Sequence, residues 1–274
     1  MTLQLDGRLV LVGAGKMGGA MLSGWLARGL APDSVIAVDP APPSEVATVL
    51  ATHGIRREAA VPALDTPPAV IVIAIKPQMM DQVFPQVAKI AGPGTLVISI
   101  AAGRTIASFE KHLPAGVAVI RTMPNTPAAI GRGITVCVAN ALTSGTQRAT
   151  CESLLAAVGD VGWVEDEALI DAVTAVSGSG PAYVFLLAEC MTAAGVAAGL
   201  DPQLAARLAR ATVSGAGELM RLSGEDPAQL RTNVTSPGGT TAAALSVLMA
   251  GDGLQPLLTK AILAARDRGR DLAG

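Results

Sequence analysis

Residues 8–18 read RLVLVGAGKMG. An apolar, β-branched run breaks at Gly13, and Gly13, Ala14, Gly15, Lys16, Met17 and Gly18 then open a stretch of helix-forming residues. A GxGxxG string by itself is weak; directly after a strand and at the start of a helix it gains weight. The glycines permit a tight turn, close approach of backbone to a pyrophosphate, and close packing of helix on strand, with the phosphates at the helix N-terminus. A Gly-rich turn without a ligand would use the same letters. Asp39, about 20 residues beyond Gly18 at the end of the next apolar run, is placed to accept hydrogen bonds from adenosine ribose hydroxyls, as a carboxylate does for NAD. Followed by Pro40, it also reads as a plain Asp-Pro turn starter.

The pattern continues outward from that turn. Strand-like runs at residues 8–13, 35–39, 69–75, 95–100, 117–122 and 134–139 alternate with helix-like stretches at 16–28, 44–53, 78–90, 105–112 and 144–158. Continuous apolar runs such as VIVIAI at residues 70–75 need cover on both faces, which predicts an α/β fold with a doubly wound, Rossmann-like parallel sheet. After Glu165 the strand-like runs stop. Helical sequence follows, punctuated by SGSGP, residues 199–202, SGEDP and SPGG. Two domains are expected: a dinucleotide-binding domain over residues 1–165 and an all-helical dimerisation and substrate domain over residues 166–274.

Composition narrows the function classes. Half of the 274 residues are apolar but only 2% are aromatic, so the core must be built from Ala, Val, Leu and Ile. A net charge of −2 and the lack of any Lys/Arg run speak against nucleic-acid or membrane-surface partners and for a small-molecule substrate. The most membrane-like window, residues 181–200, lacks basic flanking anchors and reads as a buried helix. Cys137, Cys151 and Cys190 are odd in number, show no CxxC pairing, and read as small core residues. Asp6 and Arg8 precede the first strand where a targeting peptide would differ, so a cytoplasmic location is expected. His53 and His112 have no metal-ligand spacing, and no metal is expected.

In an open parallel sheet, ligands lie beyond the carboxyl ends of the strands. That position implicates Ala74, Ile75, Lys76 and Pro77 after one strand and Ala101, Ala102 and Gly103 after the next. From position alone, Lys76 reads equally as a solvated charge and Gly103 as a strand terminator. Met123, Pro124, Asn125, Thr126 and Pro127 form a loop that two prolines stiffen.

Together with SGSGPAY at residues 177–183 and NVTSPGGTT at 233–241, these strings resemble the pyrroline-5-carboxylate reductase family over nearly the whole chain. The last two strings are the specific ones. The resemblance implies NAD(P)H-dependent reduction of the cyclic imine 1-pyrroline-5-carboxylate to L-proline. It also implies a homo-oligomer, a dimer through interleaved helical domains, often assembled as a ring of dimers. Cofactor contacts are implied at Gly13, Ala14, Gly15, Lys16 and Met17, at Asp39 and Pro40, at Ala74, Ile75, Lys76 and Pro77, at Ala101, Ala102 and Gly103, and at Asn233. Substrate contacts are implied at Glu225, Ser236, Gly239, Thr240 and Thr241. Members of the family that favour NADPH often carry a small or basic residue where this chain has Asp39, so Asp39 leans to NADH while the family leans to NADPH.

The SPGGTT loop also makes sense from its residues. Gly238 and Gly239 let backbone N–H groups turn inward, and the helix after them presents its N-terminus to a carboxylate. An ordinary Ser/Pro helix cap with a flexible glycine pair would have the same composition. Imine reduction asks for positioning and a hydroxyl near the nitrogen rather than a shifted acid or base, and Thr241 is the expected catalytic hydroxyl. The rival readings are a 3-hydroxyacid dehydrogenase or another imine reductase of similar architecture, and a non-catalytic dinucleotide-binding protein.

Overall fold

The structure, a computed structural model, describes residues 3–273. The chain divides into two compact units, one of Met1–Gly178 with Arg266–Gly274 and one of Ser179–Ala265. In the first unit, strands β1 (Leu9–Val12), β2 (Val35–Val38), β3 (Arg56–Glu58), β4 (Val70–Ile73), β5 (Leu96–Ser99), β6 (Ala118–Met123), β7 (Gly133–Ala139) and β8 (Gly159–Trp163) form one sheet. Their spatial order is β3-β2-β1-β4-β5-β6-β7-β8.

The fully buried strands explain the apolar runs. Every residue of β1, β2, β4 and β5 is buried, and alternate side chains enter different cores. Leu9 and Leu11 join one core with Met21, Leu22 and Trp25 of α1 (Lys16–Ala27), Leu50 of α2 (Ser44–Thr52), and Leu154 of α5 (Gly145–Leu155). Val10 and Val12 join the other, with Met80, Phe84 and Val87 of α3 (Met80–Ala88) and Phe109 of α4 (Ile106–Glu110). That is the two-sided cover expected of a doubly wound sheet. Trp25 satisfies its indole by donating to the Leu154 carbonyl at 2.9 Å. Ser144 and Gln147 form a reciprocal capping box at the start of α5.

Three features differ from the sequence expectation. The sheet has eight strands rather than six: β3, RRE, is a polar edge strand, and β8, GDVGW, carries two glycines and an aspartate. The sheet is also not wholly parallel, because β7 runs antiparallel to β6. Only residues 124–132 join them, too few for the crossover that a parallel pair needs. Finally, strands end at Trp163 as expected, yet residues 166–178 pack with the first unit. Glu167 accepts hydrogen bonds from the Ile106 N–H at 2.9 Å and from buried Arg121 at 2.8 Å, while Ile170 of α6 (Ile170–Val173) and Ala175 are fully buried. The packing boundary therefore falls inside SGSGP, 13 residues after Glu165.

The second unit consists of α7 (Gly180–Ala197), α8 (Pro202–Ser223), α9 (Pro227–Asn233), α10 (Thr240–Leu248) and the first part of α11 (Leu254–Ala273), whose last residues belong to the first unit. Asp201 and Asp226 cap α8 and α9 through backbone N–H groups, each followed by proline at the first helical position. The helical run Glu167–Ala197 is long and apolar enough to cross a membrane by length and composition, with mean hydropathy 1.4. Cys137 and Cys151 lie in the first core, where burial pushes the Cys151 thiol up and neighbouring Cys137 adds to the shift. Cys190, expected in a core, is instead exposed on α7 in the single chain.

Candidate functional site

The Gly-rich turn is held by its neighbours. Gly13 has φ +94°, and a Cβ there would lie 2.6 Å from the Ala74 carbonyl oxygen. Its N–H donates to the Val38 carbonyl at 2.8 Å, and the Ala74 N–H donates to the Val12 carbonyl at 2.7 Å. The carboxyl ends of β1, β2 and β4 thus meet at one glycine. A Cβ on Gly18 would overlap the Gly13 carbonyl oxygen, so α1 lies as close to the turn as a backbone allows. Gly15 is different. It is the N-cap of α1, has ordinary extended angles (φ −72°, ψ −162°), and a Cβ on it would meet nothing within 4 Å. No side chain among the described residues caps α1, so its first N–H groups have no intrahelical acceptor.

Asp39 joins this turn directly. Its Oδ2 accepts from the Ala14 N–H at 2.8 Å and its Oδ1 from the Ala41 N–H at 2.9 Å. A carboxylate has about four acceptor positions, so two bonds leave capacity for ribose hydroxyls. A cavity of about 300 Å³ opens beside it, lined by Gly13, Asp39, Pro40, Val61, Ile75 and Val83 among others. A second cavity of about 450 Å³ is lined by Pro77, Gln78, Ala102, Gly103, Arg104, Thr105, Ser108 and Leu272. These residues fit a dinucleotide: glycine-lined space and uncapped N–H groups for the pyrophosphate, with a carboxylate and an apolar cavity for the adenosine.

Of the other positions in the first unit, Ala14 and Ala101 are buried, Met17 packs against the first core, and Lys16, Lys76 and Ala102 are exposed. Lys76 begins the short 3-10 turn Pro77–Met79 that leads into α3. Two arginines stand at these turns, and Arg104 is one that the sequence did not single out. Arg104 grips Asp81 with two bonds of 2.7 and 3.0 Å and donates to the Pro77 carbonyl at 3.2 Å, tying the turn after β5 to the turn after β4. Its guanidinium holds the Asp81 carboxyl below the usual carboxylate range. Arg57, on β3, donates to the carbonyls of Asp39 and Pro40. No spacing rule marks either residue, because each contact spans 17 to 27 positions of the chain.

In the second unit, Asn233 donates to Glu225 Oε2 at 3.1 Å and accepts from Gln229 at 2.7 Å. The structure thus joins a residue expected to touch cofactor with one expected to touch substrate. The loop after α9 turns at Gly238 (φ +69°), and the Gly239 N–H donates to the Ser236 carbonyl at 3.0 Å. Gly239 is the N-cap of α10 and provides no capping side chain. The first N–H groups of α10, beginning at Thr240, consequently have no intrahelical acceptor. Thr232 and Thr235 bond back to the carbonyls of Ala228 and Arg231, whereas among the described residues the Thr241 hydroxyl has no protein partner. Among the described residues, the loop of Ser236, Gly239, Thr240 and Thr241 therefore keeps unspent N–H groups from Thr240 onward and a free hydroxyl at Thr241.

Comparison with known proteins bears on both units. Residues 167–272 match the family model described as pyrroline-5-carboxylate reductase dimerisation, and residues 8–103 match one described as NADP oxidoreductase coenzyme F420-dependent. A pyrroline-5-carboxylate reductase of Pseudomonas aeruginosa is 41% identical over 269 residues, covering 97% of each chain. The solved structure of one from Coxiella burnetii superposes with a TM-score of 0.91 at 33% identity, over 98% of this chain and 100% of that one. A pyrroline carboxylate reductase of Plasmodium falciparum, solved with NADP bound, gives a TM-score of 0.80 at 26% identity, over 98% and 99% of the two chains. With two-unit architecture, glycine turn and SPGGTT loop all in place over essentially full length, the chain belongs to the pyrroline-5-carboxylate reductase family.

Proposed function

We propose that the chain reduces 1-pyrroline-5-carboxylate to L-proline with a reduced nicotinamide dinucleotide. When bound, the cofactor supplies the hydride that the C=N carbon accepts. The protein's own contribution is binding, orientation and the placement of a proton at nitrogen. Ser236, Gly239 and Thr240 hold the substrate carboxylate at the uncapped start of α10, with Glu225 in the same contact set. Thr241 offers its hydroxyl to the ring nitrogen; a hydroxyl donates to a neutral imine and accepts from a protonated one. Residues Gly13, Ala14, Gly15, Lys16 and Met17, Asp39 and Pro40, the turns at Ala74–Pro77 and Ala101–Gly103, and Asn233 are the proposed cofactor contacts.

The observation that carries this reading is the N-terminus of α10, uncapped and next to a hydroxyl that has no protein partner among the described residues. An assay with pyrroline-5-carboxylate and each reduced cofactor tests it, with proline measured directly. Oxidation of NADH or NADPH with stoichiometric proline is expected. A folded sample that binds cofactor yet makes no proline would remove the reading in favour of a related dehydrogenase or a dinucleotide-binding protein. On cofactor choice we propose that Asp39 favours NADH. A carboxylate about 4 Å from a 2′-phosphate charge costs about 4 kcal/mol at an effective dielectric near 20.

The helical unit assembles with a second copy in this proposal. Phe185, Leu219, Leu222 and Val247 are between 55 and 71% exposed in the single chain, apolar surface beyond what a monomer leaves to water. The match of residues 167–272 to a dimerisation model supports a protein partner over a bilayer for this surface. Sedimentation at micromolar concentration is expected to give a dimer or a ring of dimers, and Phe185→Asp is expected to shift it toward monomer. A wild-type monomer would refute the assembly. We place the enzyme in the cytoplasm, where reduced cofactor and free thiols are both maintained.

A further inference from the structure

The loop that leaves β2 reads Asp39-Pro40-Ala41-Pro42-Pro43 before α2 begins at Ser44. Its three prolines carry no N–H. The Asp39 N–H is committed to the Glu58 carbonyl at 2.9 Å, and the Ala41 N–H to Asp39 Oδ1 at 2.9 Å. A phosphate placed on the ribose 2′ position beside Asp39 finds no spare backbone donor in this loop, and a carboxylate repels it. Yet Arg57 reaches over from the neighbouring edge strand. Its Nε donates to the Asp39 carbonyl at 3.2 Å and its Nη2 to the Pro40 carbonyl at 2.7 Å.

We infer that Arg57 is the residue that lets this chain accept a 2′-phosphorylated cofactor, by turning its guanidinium from these two carbonyls to the phosphate. The inference rests on the cofactor reading above. Arg57 is exposed, so the turn meets no packed wall. It exchanges bonds to neutral carbonyls for charge-assisted, two-pronged bonds to an anion, which are roughly twice as strong. Arg56 cannot substitute. Successive strand residues point to opposite faces, and Arg56 is paired with Glu58 at 2.8 Å. Asp39 and Arg57 thus divide the work: the carboxylate serves the ribose hydroxyls of NADH, and the guanidinium offsets that carboxylate when the cofactor is NADPH.

The test is equilibrium binding, which needs no turnover. Dissociation constants for NADPH, NADH, adenosine 2′,5′-bisphosphate and AMP are measured calorimetrically on the wild type and on Arg57→Gln, Arg57→Lys and Arg56→Gln. Arg57→Gln is expected to weaken NADPH and the bisphosphate about tenfold while NADH and AMP stay within about twofold. Arg57→Lys should fall between, and Arg56→Gln should match the wild type. Equal weakening of NADH and NADPH would make Arg57 a brace for the loop and overturn the inference. So would an unchanged NADPH constant, or a wild type that binds NADH and not NADPH. A wild type that binds neither dinucleotide overturns the cofactor reading itself.

Discussion

Gly15→Ala is expected to weaken NADH and NADPH by about 2 kcal/mol or more, some thirtyfold in Kd, while the melting temperature stays within about two degrees of wild type. The separation follows from the backbone. Gly15 has angles any residue adopts, and a Cβ there meets no protein atom within 4 Å. Removing a glycine from a compatible position restricts the unfolded chain, and replacing a glycine N-cap by alanine costs on the order of half to one kcal/mol, so the two effects oppose. What the methyl occupies is the space in front of the uncapped α1 N-terminus, where a pyrophosphate must come close to the backbone. Gly18→Ala supplies the contrast: its Cβ overlaps the Gly13 carbonyl oxygen, so binding and stability should fall together. Cofactor titration and thermal melts on both variants separate the cases. A Gly15→Ala protein that binds both dinucleotides as tightly as wild type would show that the open space serves no ligand.

The fold was legible where one physical demand fixes the letters. A strand buried on both faces must be apolar throughout, so LVLV, VIAV, VIVI and LVIS could be read directly as β1, β2, β4 and β5. Edge strands face no such demand. β3 is stitched to β2 by its backbone and keeps three charged side chains, and β8 keeps two glycines, so neither announces itself. The direction of β7 is a matter of linker length, not of strand composition. The packing boundary slipped past Glu165 because Arg121, far back in the chain, holds Glu167 to the sheet. That ion pair has no local signature.

The candidate site divides along the same line. Glycines that backbone approach enforces, and a proline-glycine loop ahead of a helix, are local and readable. Whether Asp39 starts a turn or faces the glycine turn was open from sequence. In the structure its carboxylate does both, accepting from Ala41 and from Ala14. Arg104 gains its place only when strands distant in sequence align, and nothing in GRT distinguishes it beforehand, while only the alignment of β3 with β2 tells Arg57 from Arg56. The apolar excess of α7 and α8 was visible as composition, whereas the exposure of Cys190 was not, because nearly every position of α7 is apolar and no polar face marks which side chains stay outside.

Thr241→Ala is expected to lower kcat/KM for pyrroline-5-carboxylate ten- to a hundredfold, about 1.4 to 2.7 kcal/mol, with thermal stability intact. The competing reading makes Thr241 a helix-stabilising residue that caps or bonds back within α10. The geometry weighs against it: the cap of α10 is Gly239, and the Thr241 hydroxyl has no protein partner among the described residues. Losing such a hydroxyl removes no intramolecular bond, and alanine is the stronger helix former, so the variant should melt no lower than wild type. Thr241→Ser keeps the hydroxyl and should keep most of the activity. The carboxylate and nitrogen contacts also separate kinetically. Ser236→Ala, which removes a carboxylate contact formed in ground and transition states alike, should act mainly through KM, whereas Thr241→Ala should act mainly through kcat because charge at nitrogen changes as the hydride arrives. If the Ala and Ser variants of Thr241 prove equally active, or if activity and melting temperature fall in step, the hydroxyl has no part in the reaction and the nitrogen must be served by another group.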